Sequence, residues 1–138
     1  YVIRKTYQVR NFLLSGKEKM TMEKKKESLC SSITGNGCGL KKVINIIGGK
    51  WKILILCLID DKGVGRFNEM RRDIFGITNT MLASSLKELE SDGLITRIQY
   101  NEMPVRVEYM LTDKAGSMIP ILLELKRWGE ENLADDKP

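Results

Sequence analysis

From Leu40 apolar residues recur every three or four positions as far as Asp92-Gly93, alternate with polar ones over Val105, Val107, Tyr109 and Leu111, and return to helical spacing after Thr112. Few folds accommodate that change of period. It calls for several helices, one two-stranded hairpin and a closing helix. A lone hairpin is marginal in water, so helices or a ligand must support it. The 138 residues suit one main domain, and 42% hydrophobic with 30% charged residues can build a buried core.

Residues 31–39 form a loop rich in Ser, Gly, Asn and Thr. Leu40, Val43, Ile44 and Ile47 predict a first helix, which Gly48-Gly49 interrupts. Trp51, Leu54, Ile55 and Leu58 predict a second, more buried helix ending near Asp60–Gly63. A short helix follows over Arg66–Ile74, with Phe67, Met70 and Ile74 inward, and Gly76 turns the chain. Thr78 is placed to cap a helix reaching Ser91, because its hydroxyl can accept from a free first-turn amide. Met81 or Leu82, Leu86 and Leu89 face inward there, and Asp92-Gly93 ends the helix at a left-handed position. Leu94–Tyr100 and Val105–Leu111 are the strands, joined by a tip at 101–104. Thr112 or Asp113 caps a last helix to about Leu133, with Met118, Ile121, Leu122, Leu125 and Trp128 on its apolar face. This order is that of a winged helix-turn-helix domain: α+β, mainly α, with a two-stranded wing, over residues 31–138.

Charge adds less than its total suggests. The chain carries +5, yet residues 1–30 hold eight bases against three acids while residues 31–138 hold fifteen of each. The excess therefore lies in a basic N-terminal extension, and the bulk charge does not by itself assign nucleic-acid binding to the body. Three readings of the extension stand: an arm along nucleic acid, a segment packing on a partner, or translation from upstream of the native start. The third is favoured. Lys17-Glu18 can be encoded by a purine-rich ribosome-binding sequence at a suitable distance from Met22, so the native chain is expected to begin at Met22 or Met20.

With no histidine, the chain lacks a Ser-His-Asp triad, a Cys-His pair and any His metal ligand. Cys30, Cys38 and Cys57 include no C-x-x-C pair, which argues against a zinc site. Their odd count, and the absence of a signal-peptide pattern, point to a reducing cytoplasm. No apolar run is long enough to span a bilayer. No cofactor motif or nucleophile–base spacing suggests an enzyme.

Five motifs, in order and spacing, resemble the HxlR family of winged-helix transcription regulators, which are related to MarR proteins. They are Gly48-Gly49-Lys50-Trp51; Arg66-Phe67-Asn68-Glu69-Met70; Met81-Leu82 with Leu86-Lys87-Glu88-Leu89-Glu90-Ser91-Asp92-Gly93-Leu94; Pro104-Val105-Arg106-Val107-Glu108-Tyr109-Met110-Leu111-Thr112; and Trp128-Gly129. The likeness covers roughly residues 38–133. It implies a homodimer, joined through N- and C-terminal flanking helices, that binds double-stranded operator DNA. The family often has Cys-Pro before the first helix, whereas this chain has Cys38-Gly39.

In such a fold the second helix of the motif enters the major groove. Over residues 78–91 the outward side chains are Asn79, Thr80, Ala83, Ser84 and Lys87. Asn79 can read an adenine edge, and Thr78, Thr80, Ser84 and Ser85 can bond bases or phosphates. Lys87 is a phosphate contact or a surface pair with Glu88 or Glu90. The wing offers Arg97, Gln99, Tyr100, Asn101 and Arg106 at the minor groove or backbone. Arg106 can alternatively pair with Glu102 or Glu108 across the hairpin. Arg66, Lys50 and Lys52 can reach the backbone.

Cys38 precedes the first helix, whose dipole favours a thiolate. The resemblance allows thiol sensing there, with Cys30 as a second thiol. Cys57, amid apolar neighbours, is expected in the core. Trp51, Met81, Tyr109 and Trp128 can line a small-molecule pocket or simply fill the core, and the effector is not legible. The competing function is a winged-helix protein-interaction module without DNA binding. The neutral polar side chains over 78–91 favour DNA, where an acidic face would favour the module.

Overall fold

The computed structural model describes residues 37–134. The readings made for the N-terminal extension and for Cys30 lie outside the described residues. The chain divides between Lys42 and Val43. Helices α1 (Gly39–Ile47), α2 (Lys52–Lys62), α3 (Phe67–Asp73) and α4 (Asn79–Ser91) precede strands β1 (Ile95–Tyr100) and β2 (Arg106–Leu111), and α5 (Asp113–Gly116) and α6 (Ile119–Asn132) close the order. This is the winged helix-turn-helix arrangement expected from the sequence.

The core gathers Ile47, Ile55, Leu56, Ile59, Met70, Ile74, Ile77, Leu82, Leu86, Leu89, Leu94, Ile95, Ala115, Ile119 and Leu122. Helix α2 is its centre, with Ile55, Leu56 and Ile59 fully buried. Its phase differs from the one expected. Leu54 is exposed, and Cys57, expected in the core, also reaches the surface. The run 53–59 is apolar on every side, so spacing could not orient it, and packing chose the face. In α4 the alternative resolves to Leu82, buried, with Met81 exposed.

The hairpin is antiparallel, Ile95 opposite Leu111 and Tyr100 opposite Arg106. Its support comes from the helical body. Gly65 and Tyr109 exchange backbone hydrogen bonds of 2.8 Å in each direction, which adds a short third rung beside β2. A Cβ on Gly65 would sit 2.8 Å from Ile59 Cγ1 and 2.9 Å from Met70 Sδ, so a larger residue here would have to displace these core side chains. At the other end the Thr112 hydroxyl donates to the Gly93 carbonyl at 2.7 Å. Gly93 itself has φ +73°, and the Leu94 amide closes the end of α4 onto the Leu89 carbonyl at 2.9 Å.

The expected alternation of β2 is broken at Glu108, which is buried although it falls on the polar register. Two arginines compensate for its burial, as described below. The single closing helix is also corrected. Thr112 caps α5, accepting from the Ala115 amide at 3.3 Å, but α5 ends at Gly116 and α6 restarts at Ile119. Pro120 forces the break, because it lacks an amide hydrogen and its ring would clash with the carbonyl four residues back.

Among the described residues, two apolar faces are exposed. Val43 and Ile44 on α1 are exposed, and only Ile47 of the expected stripe is buried. On α6, Leu122 is buried while Ile121, Leu125 and Trp128 are more than half exposed. Among the described residues, no helix is long and apolar enough to cross a membrane.

Candidate nucleic-acid interface

Thr78 sits in extended conformation before α4, and its Oγ1 accepts from the Met81 amide at 3.1 Å. That cap fixes where the helix starts and therefore which residues its first turn presents. Burial of Leu82, Leu86 and Leu89 turns the opposite side outward, leaving Asn79, Thr80, Ala83, Ser84 and Lys87 exposed. Ser85 does not belong with them. It is 8% exposed and lies on the core side, because it falls one turn before Leu89 and beside Leu86. Its assignment as a DNA contact is therefore withdrawn.

Asn79 is held by Arg71, whose Nε donates to Oδ1 at 3.1 Å. Spacing along the sequence does not single out Arg71. Its signal is its place in the helix just ahead of the turn, but only the fold brings it to the start of α4. Ser84 Oγ donates to Glu88 Oε1 at 3.4 Å. Glu88 also pairs with Lys52, so Lys52 is a link between α2 and α4. Lys50 lies over the Trp51 ring at 4.7 Å. Among the described residues, Arg71, Lys87 and Arg97 form no ion pair, so of the two readings of Lys87 the surface pair is absent.

The wing is electrically different from its base. Arg97 is exposed and donates to Gln99 Oε1 at 3.2 Å, and Asn101 is exposed at the tip. Arg106 instead folds back. Its guanidinium stacks on Tyr100 at 4.1 Å, reaches Glu102 at 3.3 Å and lies 3.6 Å from Glu108. Both cross-hairpin partners named for it are thus engaged. Arg66 pairs with Glu108 at 3.4 Å and with Glu69 at 3.9 Å. Two bases meet three acids here, so Arg66 and Arg106 bring no surplus positive charge to an anion.

Cys38 lies just before α1 and is partly buried. Cys57 has its thiol pushed above the ordinary range, first by lost hydration and then by the Asp60 charge, against a lowering by Lys126. The four residues considered for a pocket do not share a role. Trp51 and Tyr109 pack against the core, while Met81 and Trp128 are exposed. Among the described residues, no cluster of metal-ligating side chains occurs.

Residues 46–137 match the HxlR-like helix-turn-helix family. An uncharacterized HTH-type transcriptional regulator of Halalkalibacterium halodurans is 51% identical over 89 residues, covering 64% of this chain and 79% of that protein. One from Methanothermobacter thermautotrophicus is 53% identical over 93 residues, covering 67% of this chain and 70% of that protein. Among solved structures, the redox regulator HypR in its oxidized form superposes with a TM-score of 0.66 at 42% identity, over 70% of this chain and 99% of that one. The reduced form of the regulator YodB from B. subtilis gives a TM-score of 0.61 at 31% identity, over 71% of this chain and 95% of that one. A capped recognition-type helix, a braced wing and relatives matched over most of their length lead to one conclusion: the chain belongs to the HxlR-like helix-turn-helix family and is a winged helix-turn-helix transcriptional regulator.

Proposed function

We propose that the protein acts in the cytoplasm as a homodimer on a specific double-stranded operator, with α4 in the major groove and the wing at the minor groove or backbone. The observation that carries this reading is the exposed, small and polar side of α4 behind the Thr78 cap. Asn79, Thr80 and Ser84 approach base edges or phosphates there, and Lys87 meets phosphate. Arg71 supports Asn79, while Arg97 and Asn101 extend the contact along the wing. Arg66 and Arg106 brace the wing through Glu108 and contribute less to binding. The apolar residues exposed on α1 and α6 support dimerisation through the flanking helices, because uncovered Ile121, Leu125 and Trp128 favour a partner surface. A thiol response at Cys38 is part of the proposal. Its support is the position of Cys38 before α1 and the likeness to HypR, a redox regulator.

Selection of genomic fragments on the purified protein, followed by sequencing, tests the reading. An inverted repeat with half-sites about one helical turn, ~34 Å, apart is expected. Equal retention of all fragments would overturn it. Operator binding that is unchanged by oxidant in the native protein would remove the thiol response.

A further inference from the structure

Glu88 lies one turn beyond Ser84 at the edge of the outward side of α4, and its side chain is 54% exposed. A bare carboxylate there would repel the phosphates that the helix must approach. The structure places a cation against it. Lys52 Nζ is 2.5 Å from Glu88 Oε2, and the Lys52 side chain is only 13% exposed. The same ammonium donates to the Ile46 carbonyl in the last turn of α1 at 3.2 Å. The other carboxylate oxygen, Oε1, accepts from Ser84 Oγ at 3.4 Å. One chain of contacts thus runs from α1 through Lys52 and Glu88 to a hydroxyl on the proposed DNA side.

We propose that Lys52 is a positioning residue for DNA recognition, its ammonium screening Glu88 from the phosphates and holding the Glu88–Ser84 pair in place. The inference rests on the reading of α4 as the recognition helix. The hydrogen bond and charge from Lys52 hold the Glu88 carboxyl below the usual carboxylate range, as expected where an ammonium stabilises the ionised form. A simple staple between α2 and α4 would use the same contacts, but it differs in the sign of one effect. If Lys52 screens, removing Glu88 helps DNA binding. If Lys52 only staples, removing either partner harms it.

The test measures affinity for the duplex recovered by genomic selection, across ionic strengths, alongside the melting temperature of each variant. Lys52→Met keeps the stem and removes the charge. It is expected to weaken binding roughly three- to tenfold at low salt, with the gap closing as salt rises. Glu88→Gln is expected to tighten binding by a similar factor. The double variant Lys52→Met/Glu88→Gln should return to within about twofold of the native protein, and Lys52→Arg should keep native affinity. Parallel losses in Lys52→Met and Glu88→Gln would overturn the proposal in favour of a staple. If Lys52→Met does not fold, Glu88→Gln alone decides: tighter binding supports the screen, and equal or weaker binding overturns it. A native protein that binds the duplex while every variant binds alike overturns this inference and leaves the DNA reading standing. A native protein that retains no duplex overturns both.

Discussion

The Arg66 guanidinium lies 3.4 Å from the carboxylate of Glu108, 42 positions along the chain, and so ties the start of α3 to the wing. Glu108 is shared with Arg106, whose Nε is buried and has no hydrogen-bond partner among the described residues. Glu108→Gln removes the charge that both guanidiniums face. It is expected to destabilise the domain by about 1 kcal/mol, because it removes the shared acceptor charge while both guanidiniums keep contact with solvent. Arg66→Ala should cost less, because its side chain is half exposed and solvent screens the pair. Urea unfolding of both single variants and the double variant measures the coupling.

The Thr78 cap can be tested apart from DNA. Thr78→Ala removes the acceptor for the Met81 amide and should lower stability by about 1 kcal/mol, with Thr78→Ser close to native. Chemical denaturation reads this directly. An equal loss in both variants would place the effect on the threonine methyl group rather than the cap.

Neighbouring serines on α4 should behave differently. Ser85 is packed inward, so Ser85→Ala is expected to leave operator affinity unchanged. Ser84→Ala and Asn79→Ala remove exposed polar groups and should weaken operator binding by roughly 1–3 kcal/mol where they contact a base. Titration of each variant with operator and with unrelated duplex separates loss of specificity from loss of affinity.

Salt dependence distinguishes the two wing arginines. Arg97 has no ion-pair partner among the described residues, whereas Arg106 meets Glu102 and Glu108. Arg97→Ala should reduce the log–log salt slope of binding by about 0.9 for each phosphate it neutralises. Arg106→Ala should change that slope less and stability more. A larger slope change at Arg106 would move the wing contact to that residue.

Cys57 reaches the surface, yet lost hydration and Asp60 raise its thiol pKa. A raised pKa keeps the thiol protonated at neutral pH, and only the thiolate is nucleophilic. Alkylation of Cys57 by iodoacetamide should therefore be slower at pH 7 than that of a free thiol. It should accelerate only as pH climbs past the ordinary thiol range. Mass mapping of labelled peptides over a pH series follows the rate residue by residue.

The sequence by itself determined the kind and order of the elements as far as the wing, while the closing helix, read as one, is two. Apolar spacing located α1 to α4, the Thr78 cap and Gly93 marked the limits of α4, and alternation located the wing. These signals are local, so they are legible without the rest of the chain. Periodicity also indicated that Leu86 and Leu89 face inward, because α4 has polar residues to contrast with them.

Tertiary structure decided the rest. Where α2 is apolar on all sides, only packing could turn Leu56 and Ile59 inward and leave Cys57 at the surface. Glu108 reads as an outward residue of an alternating strand, and it is buried because Arg66 arrives from another element. Lys52 reads as a free cation, but the fold seats it against Glu88, and Arg71 reaches Asn79 across the turn. Spacing records what each residue does within its own helix or strand. Which charges meet depends on segments far apart in the chain, and that is settled only when the core closes.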